Sequence, residues 1–422
     1  MAAVAPRAAL GRVRARRSLY AMARYEAVKP GRLRPHINDY SSGNVDVQRD
    51  ARELRAMARH LDQNHDLARG VCNVMVRNVV GPDGIALEPR PRLQDGSVDQ
   101  QLAADLLGAW QEWTKTPEVT RAWSWAASCR LACRSWIRDG EMFAQMLSGR
   151  VPFLSHGTTV PFSVELLEAD LVPLDYERPR ERIHQGVELN SWGRKIAYWV
   201  YKQHPGEGFG ALGTLFPEVK RVAADRIVHP YMTDRISQIR GVSLFASIIT
   251  RLFDVKDYEE SERIAAKVAA SMAGYIKKGT AEDYLAYAGE DLAKAPTDRD
   301  MRMRPGMIFD DLLPGEDVGT IDSNRPSDRV TDFRATMLRA AASGADVGYS
   351  SFSRDYGGTY SAQRQELVEQ WSAYAVLRDQ FIAQFVRPVW EQFVFAAATA
   401  SLINVPRAIS MAHLTAADFR GP

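Results

Sequence analysis

The stretch QIRGVSLFASIITRLFDVKDYEESERIAAKVAASMAGYIKK, residues 238–278, is the longest uninterrupted helical text in the chain, and a rod of that length limits what can be built around it. After the break at Arg240-Gly241, Ser243 is placed to cap, and Leu244, Ile248, Leu252 and Val255 recur at helical steps that line up one apolar face. The following turns carry Asp257, Glu259, Glu260, Glu262, Arg263 and Lys267, while Tyr258, Ile264, Ala265, Val268 and Ala269 continue a narrow buried stripe. Some thirty helical residues at about 1.5 Å each would reach roughly 45 Å. Alanines in the later half, Ala266 and Ala270 among them, let a neighbouring helix approach closely. A core helix of a large α+β domain is one reading. A strut packed side by side with copies of itself in a ring is the other.

A chain of 422 residues exceeds one core and implies two or three structural regions. With 45% hydrophobic and 25% charged residues it has the composition of a folded protein, and no run of eighteen apolar residues offers a spanning helix. The first twenty residues lack the continuous apolar core of a secretory signal. Net charge is only +2, so a concentrated phosphate-gripping face is confined to the first 34 residues, where Arg7, Arg12, Arg14, Arg16, Arg17, Arg24, Lys29, Arg32 and Arg34 stand against Glu26. For that segment contact with DNA or an acidic partner is one reading, and a flexible, solvated arm is the commoner one. Cys72, Cys129 and Cys133 make no disulfide framework and no metal spacing, so they are expected as buried thiols, and no metal or cofactor is assigned.

Along the chain, residues 45–80 predict a helix pair broken near Asn64. A turn at Gly81-Pro82-Asp83-Gly84 and the alternating IALEPRPRL follow. Helices are predicted over Leu102–Trp113 and Ala122–Leu147, with Trp123, Trp125 and Trp136 in the core. Residues 151–228 turn to short strands, including VPFSVELLEAD and IAYWVYKQ. The GxGxxG match at residues 208–213 is read as a loop, because Pro217 interrupts within four residues and no βαβ unit surrounds it. Gly279 to Pro326 is polar and turn-rich, like an insertion between two helices, and a second helix runs from Ser327 to Gly344. GADVGYSSFSRDYGGTYS is then expected to be mobile. Helix resumes from Ser361 to about Ala400 with a break at Pro388, and the last twenty residues suggest a fraying end.

Motifs for chemistry are few. No GxxxxGK[ST] loop and no GxSxG elbow occurs. Asp139-Gly140-Glu141 places two carboxylates at a helix bend, where a metal-dependent hydrolase or nuclease pair competes with a cap and a solvated turn, the latter being commoner. Glu165, Glu168 and Asp170 are read as structural partners of nearby arginines. Together these absences favour a scaffold, and a DNA-binding scaffold that never closes a ring stands as a further alternative.

The segments HDLARGVCNVMVRNVVGPDGIALEPRP, RDGEMFAQM, ELLEADLVP, GVELNSWGRKIAYWVYKQHPG, RIVHPYMTDRISQIRGVS, LLPGED and SSFSRDYGGTYSAQR are similar, in order and nearly in spacing, to the signatures of lambda-family portal proteins of tailed bacteriophages. The resemblance runs from roughly Arg24 to Val394. It implies an α+β portal fold with a helical wing and β-rich subdomain, two long stem helices, a small α/β clip insertion and a C-terminal helical crown. The implied divisions are a basic arm at 1–34, wing at 35–240, stem helix at 241–278, clip at 279–326, second stem helix at 327–343, tunnel loop at 344–360 and wing or crown helices at 361–422. Val347, Tyr349, Ser350, Arg354 and Tyr356 become candidates to face DNA, and Ala266 and Ala270 candidates for stem packing. The resemblance further implies a non-enzymatic ring, typically a homododecamer, at one capsid vertex of the virion, assembled in the host cytoplasm. Expected partners are the terminase large subunit, a head-completion or adaptor protein, major capsid and scaffold proteins, and double-stranded DNA passing non-specifically, with no membrane.

Overall fold

The structure is a computed structural model that describes residues 40–207, 218–270, 274–277, 317–320, 330–406 and 409–422. The basic arm at 1–34, the GxGxxG match and all of the 279–326 insertion except its closing strand lie outside these residues.

The chain opens with a helix pair, α1 (Gly43–Asn64) and α2 (Asp66–Val79), divided at His65. Ser42 caps α1 by accepting from Val45 N, and Val47, Ala51, Ala58 and Leu61 form its buried stripe. Strand β1 (Ala86–Pro89) and helix α3 (Gln100–Trp113) follow, α3 capped by Asp99. The fourth helix, α4 (Trp125–Asp139), ends at Gly140, whose φ of +85° is a left-handed cap.

The helix expected to continue to Leu147 therefore stops at Asp139. Residues beyond it form β2 (Phe143–Ser148), which pairs antiparallel with β3 (Phe162–Leu167). Strand periodicity wins here because β2 separates two cores. Phe143 enters the core of the β subdomain and Ala144 the helical one. Trp125 and Trp136 are buried as expected, but Trp123 is 43% exposed, since it precedes α4 rather than sitting within it.

The β subdomain continues with β4 (Ile183–His184), β5 (Val187–Leu189), β6 (Lys195–Tyr201) and β7 (Val219–Ala223), a four-stranded sheet in that order. Strand β8 (Ile227–Val228) returns to the free edge of β2. Phe143, Val187, Tyr198, Val200 and Val222 close the small core between the sheets.

Ser243 does cap, but what it caps is a single 3-10 turn, Leu244–Ser247. Helix α5 occupies Ile249–Ala270, 22 residues, roughly 33 Å at 1.5 Å per residue. The stem expected as one helix to residue 278 is thus shorter. Gly274–Lys277 is strand β9, paired antiparallel with β10 (Asp317–Thr320), because glycine followed by Tyr275 and Ile276 favours strand over helix. Helix α6 (Val330–Gly344) runs back along α5. Ser247 Oγ donates to Gly344 O at 3.2 Å, the Tyr258 and Phe333 rings lie 4.6 Å apart, and Glu259 pairs with Arg334, which fixes the antiparallel register.

After α6 comes α7 (Tyr349–Ser353), then α8 (Tyr360–Phe381), a π turn at Ile382–Val386 and α9 (Arg387–Thr399). The break expected at Pro388 is absorbed. The wide turn precedes the proline, which then sits in the first turn of α9, and the helical run continues past it. Trp390 and Phe393 of α9 pack on Trp110 at 5.3 and 5.0 Å, and Trp113 donates through Nε1 to Phe162 O at 2.8 Å. Buried aromatics of this size contribute about 1.5–3 kcal/mol each.

The end of the chain does not fray. Helix α10 (Met411–Leu414) buries Leu414, and β11 (Ala417–Arg420) pairs with β1. Trp390 Nε1 donates to Thr415 O at 2.8 Å. Within residues 361–422, Tyr374, Phe381, Phe385, Trp390, Phe393 and Leu414 belong to the same hydrophobic core as the buried side chains of α1–α4.

Candidate functional site

Three places carry the residues singled out from the sequence: the segment 344–360, the α5–α6 hairpin, and the junction where the preceding elements meet that hairpin. The first was expected to be mobile, yet a helical turn occupies it. Val347 and Phe352, 5% and 2% exposed, plug α7 into the helical core. Glu366 Oε1 accepts from Ser350 N at 3.0 Å, satisfying a free amide at the start of α7, and Ser351 Oγ donates to Gln370 Oε1 at 3.2 Å. A Cβ on Gly348 would fall 1.4 Å from Gln370 Nε2, so a larger residue there would require the Gln370 side chain to move.

The five candidates therefore divide. Val347 and Ser350 are buried within the chain. Tyr349 is half-buried, its hydroxyl donating to Asp355 Oδ2 at 3.2 Å and its ring 5.0 Å from the Arg339 guanidinium. Arg354 is exposed at a left-handed φ of +60°, and Tyr356 is 57% exposed. In the hairpin, Ala266 is half-buried, while the Ala270 side chain lies outside the described residues.

The junction is where sequence reasoning missed most. Asp139 and Glu141 were expected as a cap and a solvated turn, or as a hydrolase pair; they are 2% and 0% exposed. The backbone at Gly140 crosses that at Gly241 so closely that a Cβ on Gly140 would lie 2.2 Å from Val242 C, and one on Gly241 2.1 Å from Gly140 O. This crossing brings Glu141 and Arg240, 99 residues apart, face to face. Glu141 accepts from Arg240 Nη2 at 2.7 Å, Arg55 Nη2 at 2.9 Å, Gly241 N at 2.9 Å and His229 Nε2 at 3.0 Å. Arg240 also donates to Gln185 O at 2.6 Å and Val172 O at 3.0 Å.

From there the charges alternate outward. Arg55 pairs with Asp170 at 3.0 Å, Asp170 with Arg59 at 2.5 Å, Arg59 with Asp139 at 2.9 Å, Asp139 with Arg138 at 2.8 Å, and Arg138 with Asp62 at 3.3 Å. A signal existed in the sequence. Arg55 and Asp62 lie on the same helical stripe as Val47, Ala51, Ala58 and Leu61, where a solvated charge has no place.

Burial alone would raise the Glu141 carboxyl, but Arg240 and His229 outweigh it and hold it well below its usual range. Burial, with Lys195 beside it, pushes His229 down to about 3. The ring is therefore neutral, donating through Nε2 to Glu141 and accepting at Nδ1 from Lys195 Nζ at 3.0 Å. Burial brings Lys195 down to about 7, against the pull of Glu141. Every lone pair of Glu141 is engaged by a donor from its own chain, so the hydrolase pair has no free carboxylate there.

Among the described residues, one group of side chains approaches metal-ligand spacing: Glu168, Asp170 and His204, with His204 Nε2 3.5 Å from Glu168. Two observations assign it otherwise. Gly206 N donates to His204 Nδ1 at 3.1 Å, which leaves the proton on Nε2, and Arg59 already lies against both acids.

A probable portal protein of Halomonas phage phiHAP-1 is 23% identical over 383 residues, covering 87% of this chain and 70% of that protein. Portal protein B of Escherichia phage lambda is 23% identical over 216 residues, covering 47% of this chain but 40% of its own length. Among solved structures, the neck of a native gene transfer agent particle is similar at 13% identity with a TM-score of 0.41, covering 87% of this chain and 81% of that one. The family described as "Phage portal protein, lambda family" matches residues 30–378, and on that span the chain belongs to it.

Proposed function

We propose that the chain is the subunit of a head-tail connector: a ring, a homododecamer, set at one capsid vertex, through which double-stranded DNA is packaged and later ejected. The observation that carries this reading is the family match, which spans the junction, the hairpin and α7 without interruption. In this reading residues 35–240 and 361–422 are wing, α5 and α6 are stem, and residues 279–326 are a clip that meets the terminase large subunit and then an adaptor protein. Major capsid and scaffold proteins surround the ring during assembly in the host cytoplasm. The subunit itself catalyses nothing; the work of packaging belongs to the terminase.

The geometry supports this in two respects. The hairpin is rooted in a buried ion network rather than a loose linker, as a wall under load requires. The segment 344–360 is held by Val347 and Phe352 while Arg354 and Tyr356 reach solvent, so its outer side is available to a passing duplex. A conduit must also release its cargo. Each neutralised phosphate adds about 0.9 to the salt slope of binding, and a chain whose net charge is only +2 suits such release. Electron microscopy of the purified particle tests the proposal: a closed ring with an opening wide enough for a duplex is expected, and a chain that stays monomeric at every concentration by light scattering defeats it.

A further inference from the structure

Helix α8 has two unlike faces, and neither is fully covered by its own chain. At about 100° per residue, Tyr360, Arg364, Leu367 and Trp371 fall within a sector of roughly 60°, with Val368 beside it. Tyr360 is 77% exposed, Trp371 63%, Val368 48% and Leu367 47%. An aromatic and aliphatic stripe of this kind on one helix marks a contact surface. Arg364 stands exposed in its middle, with no ion pair or hydrogen bond to another described residue.

Roughly 140° around the same helix, α8 borders a pocket of about 300 Å³ shared with α6 and α7. Asp346, Glu366 and Glu369 line it against a single cation, Arg339, which lies over Tyr349. Asp346 and Glu369 are exposed and form no ion pair among the described residues. Gln370, only 6% exposed, also lines the pocket, and its Nε2 has no hydrogen-bond partner. An orphaned buried polar atom costs about 1–3 kcal/mol, so the pocket is one polar ligand short.

Resting on the ring proposed above, we infer that Arg364 of one copy seats its guanidinium in the Asp346–Glu366–Glu369 pocket of the next copy, with Tyr360, Leu367 and Trp371 closing over the pair. The Gln370 amide, turned over about its last bond, presents its carbonyl to the guanidinium while Nε2 donates to Ser351 and Tyr374, the two hydroxyls that now flank Oε1. Charge complementarity selects a second copy as the occupant. Because the stripe and the pocket differ and face opposite ways, the contact is head-to-tail, the kind that closes into rings.

Charge reversal in alternation tests this. Arg364→Glu alone sets an acid against the acidic pocket, and Glu369→Arg alone sets an arginine against an arginine. Each variant, with the parent's melting temperature, is expected to remain a single chain by light scattering. Mixed in equal amounts, the two place opposite charges at every 364–369 contact around an even-membered ring, and assembly is expected to return. Either variant assembling alone as the parent does overturns the inference and leaves the ring standing, as does a mixture that stays monomeric. A parent chain that never assembles removes the ring and the inference together.

Discussion

Arg240 and Glu141 face each other out of all contact with solvent, Nη2 2.7 Å from Oε1 and Nε 2.9 Å from Oε2. The pair ties the turn after α4 to the segment that leads into the α5–α6 hairpin. Arg55 and His229 close the remaining sides, so the root of the hairpin is held from α1, β2 and the strand segment around β8 at once.

Glu141→Gln leaves Arg240 buried without its counter-charge and Arg55 with Asp170 alone. Removing one partner of a buried pair costs about 3–5 kcal/mol, and a loss of that size in urea denaturation is expected. A variant within about 1 kcal/mol of the parent would mean that the pair holds nothing. Replacing Glu141 and Arg240 together by Leu and Met is expected to cost less than Glu141→Gln alone.

Acid sensitivity follows from the same residues. Glu141 ionises well below 4.5 in the folded chain, so its contribution is present above that value and fades as pH falls through its folded pKa. His229 is held at about 3 against 6.5 when unfolded, so stability drains progressively from pH 6.5 downward as the unfolded chain takes up the proton that the folded chain refuses. Lys195, about 7 when folded and 10.5 when unfolded, adds stability as pH rises between those values. The urea midpoint is thus expected to rise from pH 4 to pH 8, and His229→Gln to flatten the part of the profile below 6.5. A parental profile in that variant would place the acid sensitivity elsewhere.

In the hairpin, Ala266→Gly and Ala270→Gly are each expected to weaken ring assembly, since glycine in a helix costs about 1 kcal/mol relative to alanine. The concentration at which rings form, read by light scattering, should rise in both. Unchanged assembly would take α5 out of the subunit contact.

On the outer side of α7, Arg354→Ala and Tyr356→Ala are expected to leave ring mass and melting temperature unchanged while lowering the DNA packaged per particle. Val347→Asp, by contrast, should lower the melting temperature, because Val347 is buried in the core. Parental packaging in both surface variants would remove the segment from the channel wall.

Much of the fold was legible where neighbours in sequence decide it. The α1–α2 pair, the break at His65, the strands at 162–167 and 195–201, and a helix ending at Gly344 all follow from periodicity and caps. Errors arose where one local preference met a distant partner. The text from Ala122 to Leu147 is helical throughout, but Phe143 and Ala144 had two different cores to fill, which only a strand can do. Residues 411–420 carry little periodicity and by themselves suggest a frayed end, whereas β1, more than 300 residues earlier in the numbering, supplies the edge that orders Ala417–Arg420. Segment 344–360 had the composition of a loop, and Phe352 found a core.

The sequence by itself determined the helical rods, the caps, the strand segments and the family, because φ preferences, side-chain period and a linear order of signatures are properties of adjacent residues. Only the tertiary structure decided the charge network. Glu141 meets Arg55 across 86 residues and Arg240 across 99, and no local pattern encodes those distances. They exist because two glycines let the backbones cross in contact, and that crossing forces a carboxylate and two guanidinium groups out of water and onto one another.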